Sequence, residues 1–257
     1  MSGNVVITGA SSGIGKSLAY LLAEKGMPLL LVSRSEEKLA AICKELTQKF
    51  DVAADYLSLD LTKSEEVAQL AKHIKTQSQP LRILINNAGF GLAGAFSESN
   101  HAQVTEMLQL NMLALTDLSR AAVDKMTQQL TEKQSIINIA SIAGLMPTAN
   151  MAAYGATKAY VVSFSRALGF ECKDKNIQVL TVCPGPVKTA FADVAGIKSP
   201  MFEKFAQTPE DLSKTIWNAY QKNKKFIIPG WNNRLTMFIS KFLPFSVTAA
   251  AGQKMLK

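Results

Sequence analysis

The sequence predicts an α/β fold built on a doubly wound parallel sheet in a single domain. Three observations carry that expectation. Short apolar, β-rich runs alternate with amphipathic helical stretches from Asn4 to about Pro229. The first run passes through a glycine-rich turn straight into a helix. No repeat, low-complexity tract or linker divides the 257 residues. With 47% apolar and 19% charged residues, the composition is that of a globular chain able to bury a large core.

The chain begins Met1-Ser-Gly-Asn4 and enters Val5-Val-Ile7 without the basic flank, long apolar core and cleavage site of a signal peptide. No window reaches the roughly 18 consecutive apolar residues of a spanning helix. Cys43, Cys172 and Cys183 are odd in number, unclustered and without metal-ligand spacing. Buried thiols in a reducing cytoplasm are expected, with no metal. The basicity is uneven: residues 1–197 carry 18 basic and 17 acidic side chains, and residues 198–257 carry 10 against 3. No nucleic-acid-binding module accompanies it, so nucleic acid is not an expected partner.

In chain order, Asn4-Val-Val-Ile-Thr8 reads as the first strand, Gly9-Ala-Ser11-Ser12-Gly13-Ile14-Gly15 as the turn, and Lys16 to Lys25 as a helix closed by Gly26. Glycines let backbone approach a ligand, and free N–H groups at the helix start favour a phosphate. The same loop spells G-x-S-x-G, the nucleophile elbow of hydrolases, with Ser11 as nucleophile. That reading lacks its base: His73 and His101 fall in polar helical stretches, and no histidine follows.

Leu29-Leu-Leu-Val32 is the second strand, ending in Ser33-Arg34. An acid at that position would accept from a ribose 2′-hydroxyl, whereas an arginine accommodates a 2′-phosphate, so NADP is favoured over NAD. Alternatively, Arg34 pairs with Glu36 or Glu37 at a solvated helix start. A helix over Glu36 to Phe50 precedes a strand over Ala53 to Leu59 and then Asp60-Leu61. Asp60 either accepts from an adenine amino group or caps the helix that follows. After a helix over Ser64 to Thr76, the strand Leu81-Arg-Ile-Leu-Ile85 ends in Asn86-Asn-Ala88-Gly89, and Gly91 and Gly94 keep the next loop flexible. One long helix is expected over Val104 to Gln129. It contains Asn111, which faces solvent or serves a site.

Ile136 to Ala140 reads as a buried strand ending at Ser141, and Tyr154-Gly-Ala-Thr-Lys158 as part of a helix. Residues four apart share a helix face, so the Lys158 ammonium sits beside the Tyr154 phenol and lowers its pKa. Tyr154 then serves as general acid or base, with Ser141 donating to the same substrate oxygen. Ile177 to Val182 forms a sixth strand, ended by Cys183-Pro184-Gly185-Pro-Val187-Lys-Thr189. Residues 190–207 suit a mobile substrate lid. Thr208 caps a helix with Pro209 at its first position, and Lys225 to Pro229 supplies an edge strand.

These motifs together resemble the short-chain dehydrogenase/reductase family over about residues 4–230: T-G-x-x-x-G-x-G at Thr8 to Gly15, N-N-A-G at Asn86 to Gly89, Asn111, Ser141, Tyr154 and Lys158 as a catalytic tetrad, and P-G-x-V-x-T at Pro184 to Thr189. The resemblance implies a Rossmann-type sheet of about seven strands in the order 3-2-1-4-5-6-7, and hydride transfer between NADP(H) and a carbonyl or secondary alcohol. Tyr154 would be the acid and Ser141 the orienting donor. Lys158 would lower the Tyr154 pKa and hold the nicotinamide ribose, and Asn111 would anchor a relay water. Cofactor contacts would come from Gly9, Ser11, Ser12, Gly13, Ile14, Gly15, Ser33, Arg34, Asp60, Leu61, Asn86, Ala88, Gly89, Tyr154, Lys158, Pro184, Gly185, Val187 and Thr189. A homodimer or homotetramer is implied. A non-catalytic redox sensor or scaffold on the same fold is the alternative of a different class.

Phe90, Phe96, Met146, Met151, Phe191 and Met201 fall in segments expected to border the cleft, which suggests an apolar substrate. The tail, residues 231–257, is apolar with interspersed basic residues and resembles that of a bacterial subgroup of these reductases. Its short polar face favours packing on the cleft or a subunit interface over a membrane surface.

Overall fold

The structure, a computed structural model, describes residues 4–129 and 133–256. Residues 1–3 of the N-terminal reading and residue 257 of the tail lie outside the described residues. Strands β1 (Asn4–Thr8), β2 (Leu29–Ser33), β3 (Ala54–Ser58), β4 (Leu81–Asn86), β5 (Gln134–Ile139), β6 (Ile177–Val182) and β7 (Phe226–Ile227) form one parallel sheet in the order β3-β2-β1-β4-β5-β6-β7. The expected fold class and strand order are observed.

Strand pleating explains the double winding. Val5 and Ile7 join one core cluster with Leu18 and Leu22 of α1 (Gly13–Glu24), Leu39 and Leu46 of α2 (Glu36–Phe50), and Leu212 and Ile216 of α9 (Pro209–Gln221). Val6, between them, joins Leu70 and Ile74 of α3 (Ser64–Thr76) and Leu118 and Met126 of α5 (Leu115–Thr127) on the other face. The strand order reverses between β1 and β4, and a crevice opens at their carboxyl ends. Thr8 ties the two strands there: its Oγ1 accepts from the Asn87 and Ala88 N–H groups, both at 3.0 Å.

The expected helix over Val104 to Gln129 is not continuous. It divides into α4 (His101–Leu108), a π-helical turn over Gln109–Ala114, and α5. The wider turn changes the helical phase, so Asn111 becomes buried instead of facing solvent. Gly91 is also not a flexibility device, because a Cβ there would lie 2.7 Å from Phe191 Cζ. The helix start at Thr208 is as expected, with the Thr208 side chain accepting from Asp211 N at 3.2 Å. All three cysteines are buried and free.

After β6 the chain forms α7 (Phe191–Ala195) and α8 (Pro200–Lys204) over the crevice. The ends of this segment are joined by Lys188 N donating to Gln207 O at 2.9 Å and Gln207 N donating to Pro186 O at 3.0 Å. Ala93 N donates to Ala195 O at 2.9 Å and ties α7 to the loop after β4. After β7, α10 (Trp231–Ser240) and α11 (Phe245–Leu256) bring the tail back to the crevice, where Gly252 approaches Thr148.

Candidate active site

One cavity of about 580 Å³ runs along the carboxyl ends of the central strands. Its first end is built by the turn between β1 and α1. Gly9 and Gly13 have φ of +66° and +52°, in the left-handed region that glycine adopts without strain. A Cβ on Gly9 would lie 2.9 Å from Ala88 Cα, and one on Gly13 would lie 2.9 Å from Thr189 Cγ2. Ser12 precedes α1 in an extended conformation and makes no side-chain cap, so the first-turn N–H groups of α1 stay available. Ser11, Ser12, Gly13 and Ile14 line the cavity. These features suit a phosphate against a helix N-terminus.

Beyond this turn, Ser33, Arg34 and Lys38 line the wall with Asp60 and Leu61. Among the described residues, no ion pair joins Arg34 to Glu36 or Glu37. Asp60 does not cap α3, whose N-cap is Lys63 with no side-chain bond. It lines the cavity, and its Oδ1 accepts from Thr62 N at 3.1 Å and Thr62 Oγ1 at 2.8 Å in the turn before α3. Burial, which would raise its pKa, is outweighed by the Thr62 hydrogen bonds and by Arg34 and Lys63, so the carboxyl sits below its usual range.

At the centre, Ser141 follows β5, and Tyr154 and Lys158 lie on one face of α6 (Ala152–Glu171). Ser141 Oγ accepts from Ala143 N at 3.1 Å and hydrogen-bonds the Tyr154 phenol. The Lys158 ammonium donates to Ile139 O at 3.0 Å and lies 5.8 Å from the Tyr154 ring centre. Burial pushes Tyr154 up to about 12, opposed by the Ser141 hydrogen bond. Burial also pushes Lys158 down to about 8. The expected lowering of the Tyr154 pKa by Lys158 is therefore absent in this geometry. The ammonium is committed to a backbone carbonyl over the ring, and desolvation dominates both groups.

The far end is apolar. Phe90, Met146, Met151, Phe191, Val194 and Phe202 line it, with Thr148 and Gly252 at the tail. Tyr154 and Phe191 pack with ring centres 5.4 Å apart. Phe96 and Met201, also suggested from sequence, are instead 65% and 41% exposed and do not line it. Ser141, Thr148 and Tyr154 supply the polar atoms at this end.

A model of the short chain dehydrogenase family matches residues 3–198. The chain belongs to that family. It is 30% identical over 242 residues to hydroxysteroid dehydrogenase-like protein 1 of Gallus gallus, covering 93% of this chain and 71% of that one. It is 32% identical over 209 residues to very-long-chain 3-oxoacyl-CoA reductase of Anas platyrhynchos, covering 80% of this chain and 64% of that longer protein. Among solved structures, it is similar to a short-chain dehydrogenase from Sphingobium yanoikuyae in complex with NADPH, at 31% identity, with 93% of each chain covered and a TM-score of 0.84.

As a short-chain dehydrogenase the chain is an NAD(P)-dependent oxidoreductase, which sets aside the sensor or scaffold alternative. The hydrolase alternative also fails, because neither histidine lines the cavity beside Ser11. The glycine cradle, the α1 N-terminus and the Arg34 and Lys38 cations fit a dinucleotide. Among the described residues no cluster of three or more His, Cys, Asp or Glu could hold a metal.

Two cofactor-contact assignments, Asn86 and Gly15, need correcting in this short-chain dehydrogenase. Asn86 does not reach the cavity. The pleat turns it into the core, where its Nδ2 donates to Ser119 Oγ at 3.0 Å and Asn138 Oδ1 at 2.9 Å. Asn87 lines the cavity in its place and donates to Thr8 O at 2.9 Å. Gly15 lies in the first turn of α1 but turns away from the cavity, and its missing Cβ lets the helix pack on Gly9 O and Asn87. Asn111 lies behind Gly89. Its Oδ1 accepts from Phe90 N at 3.2 Å, and its Nδ2 donates to Phe90 O at 2.9 Å and Thr157 Oγ1 at 3.1 Å. It positions the cavity loop and does not face the cavity. The remaining assignments, Ala88, Gly89, Pro184, Gly185, Val187 and Thr189 included, line the wall. Sequence reasoning missed Lys38, which lines the cavity from the first turn of α2. It also missed Gly144, whose Cβ would run into the Lys158 backbone.

Proposed function

We propose that this short-chain dehydrogenase reduces the carbonyl group of apolar substrates, or oxidises the matching secondary alcohols, using NADP(H) in preference to NAD(H). One observation carries the reading: a single cavity joins a cationic, glycine-lined end to an apolar end, and Ser141, Tyr154 and Lys158 stand where the two meet. The nicotinamide supplies or accepts the hydride. Ser141 and Tyr154 direct their hydroxyls at one substrate oxygen. With its pKa pushed up to about 12, Tyr154 keeps its proton at neutral pH and can give it to an oxygen that gains negative charge. Lys158, near 8, carries a positive charge beside that oxygen at neutral pH and partly loses it in mild alkali. Val187 and Thr189 line the same cavity and would orient the nicotinamide end. Acyl and steroid names among the relatives are in keeping with an apolar substrate, and family membership with a homodimer or homotetramer.

Calorimetric titration with NADPH and NADH, repeated on Arg34→Ala, tests the cofactor half of the reading. NADPH should bind more tightly and lose its advantage in the variant, since a charge-assisted phosphate contact contributes about 1.5–3 kcal/mol. Failure of both nucleotides to bind would sink the reading. Tighter NADH binding would overturn the preference alone.

A further inference from the structure

The helix α10 is amphipathic with its apolar side turned outward. Met237 is buried at 4% exposure, and Asn233 packs on Gly185 while its Nδ2 donates to Pro229 O at 2.7 Å. Those contacts fix which side meets the protein. The opposite side carries Trp231 at 70% exposure, Leu235 at 45% and Phe238 at 59%, and Phe242 at 74% extends the stripe into the turn after the helix. Ile239 and Leu243, at 46% and 43%, widen the stripe. A surface helix ordinarily does the reverse, burying this stripe and showing its polar side to water. A contiguous patch of this kind marks an interaction surface.

Charge identifies the occupant. Arg234 and Lys241 are exposed along one edge of the stripe, and residues 212–257 contain no Asp or Glu beside eight Lys or Arg. A second copy seated symmetrically on this face would bring Arg234 and Lys241 toward their equivalents, with no carboxylate in the segment to pair them. An anionic bilayer supplies both complements, acyl chains for the stripe and phosphates for the cations. Tryptophan and phenylalanine on such a helix suit the headgroup boundary.

We infer that α10 and the turn after it dock this protein on an anionic lipid surface. The side of α10 that meets the protein holds Asn233, Met237 and Ser240, while Asn232, Arg234 and Thr236 remain exposed beside the stripe. The patch belongs to the same tail whose Gly252 lines the cavity, so docking places the cleft close to the bilayer. No helix is long and apolar enough to cross a membrane, so the contact is peripheral among the described residues.

The test is co-sedimentation of the full chain with vesicles of phosphatidylcholine, with and without phosphatidylglycerol. Binding should require phosphatidylglycerol, weaken with added salt and disappear in Phe238→Asp/Phe242→Asp, while NADPH binding persists as the check on folding. Arg234→Gln/Lys241→Gln, which leaves the apolar stripe intact, should weaken binding by about fivefold for each charge removed. In a Trp217→Phe background the Trp231 emission should shift to the blue on vesicles. Failure of the unaltered chain to sediment with either vesicle would overturn the inference. So would light scattering showing a dimer that the Phe238→Asp/Phe242→Asp pair splits, which would make the patch a subunit interface.

Discussion

The buried Lys158 ammonium lies 5.8 Å from the centre of the Tyr154 ring and donates to the Ile139 carbonyl at 3.0 Å. Burial has pushed its pKa down to about 8 from the ordinary 10.5. Between those values the unfolded chain binds more protons than the fold. The cost of burying the charge is therefore complete below about pH 8 and is relieved as pH rises toward 10.5. That cost is on the order of 3 kcal/mol. Lys158→Met should accordingly raise the melting temperature of the ligand-free protein near neutral pH, while abolishing activity. It should also flatten the gain in stability on going to alkaline pH. Scanning calorimetry at neutral and alkaline pH checks both signs.

Asn111 holds both backbone polar groups of Phe90 from behind the cavity wall. In Asn111→Ala those groups lose their partner in a buried setting, at about 1–3 kcal/mol each if water does not replace it. Urea unfolding should show a lower midpoint with an unchanged slope. Turnover should fall with the displaced loop.

Gly144 and Gly26 separate crowding from backbone strain. A Cβ at Gly144 would run into the backbone of Lys158, whereas Gly26, at φ +71°, has nothing within 4 Å. Gly144→Ala should displace the helix bearing Tyr154 and Lys158, at about 1–3 kcal/mol together with a loss of activity. Gly26→Ala should cost about 1 kcal/mol with activity retained. Parallel thermal melts and rate measurements on the two variants distinguish the effects.

Lys38 stands on the cavity wall with Arg34. Removing one such charge from a phosphate site typically weakens binding by about fivefold when the contact is solvent-exposed. Lys38→Ala should therefore raise the dissociation constant for NADPH and leave that for NADH unchanged, as read by fluorescence titration.

Much of this architecture is legible in the chain because parallel strands buried on both faces read as continuous apolar runs, as Leu29 to Val32 and Ile177 to Val182 do. The glycine turn, Ser141, Tyr154 and Lys158 were legible for a related reason: strand ends and helical spacing fix where those side chains meet. What escaped depended on a single residue of phase. Whether Asn86 or Asn87 faces the crevice turns on where β4 stops pleating. The burial of Asn111 turns on a π-helical turn that Leu110 and Met112 do not announce. Gly144 matters only because α6 crosses it, a contact between separate segments that local sequence does not encode. The outward stripe of α10 was visible as a pattern, but which side met the protein depended on Met237 and Asn233.

In the proposed NADPH-dependent carbonyl reduction, Tyr154 delivers the proton. The most direct measurement compares kcat/KM for NADPH-dependent reduction of an apolar ketone between the unaltered enzyme and Tyr154→Phe, with NADPH affinity measured alongside. The phenyl ring keeps its packing on Phe191 but carries no proton, so NADPH binding should be unchanged and kcat/KM should fall about 10²- to 10⁴-fold. Retention of full activity by Tyr154→Phe would contradict that role.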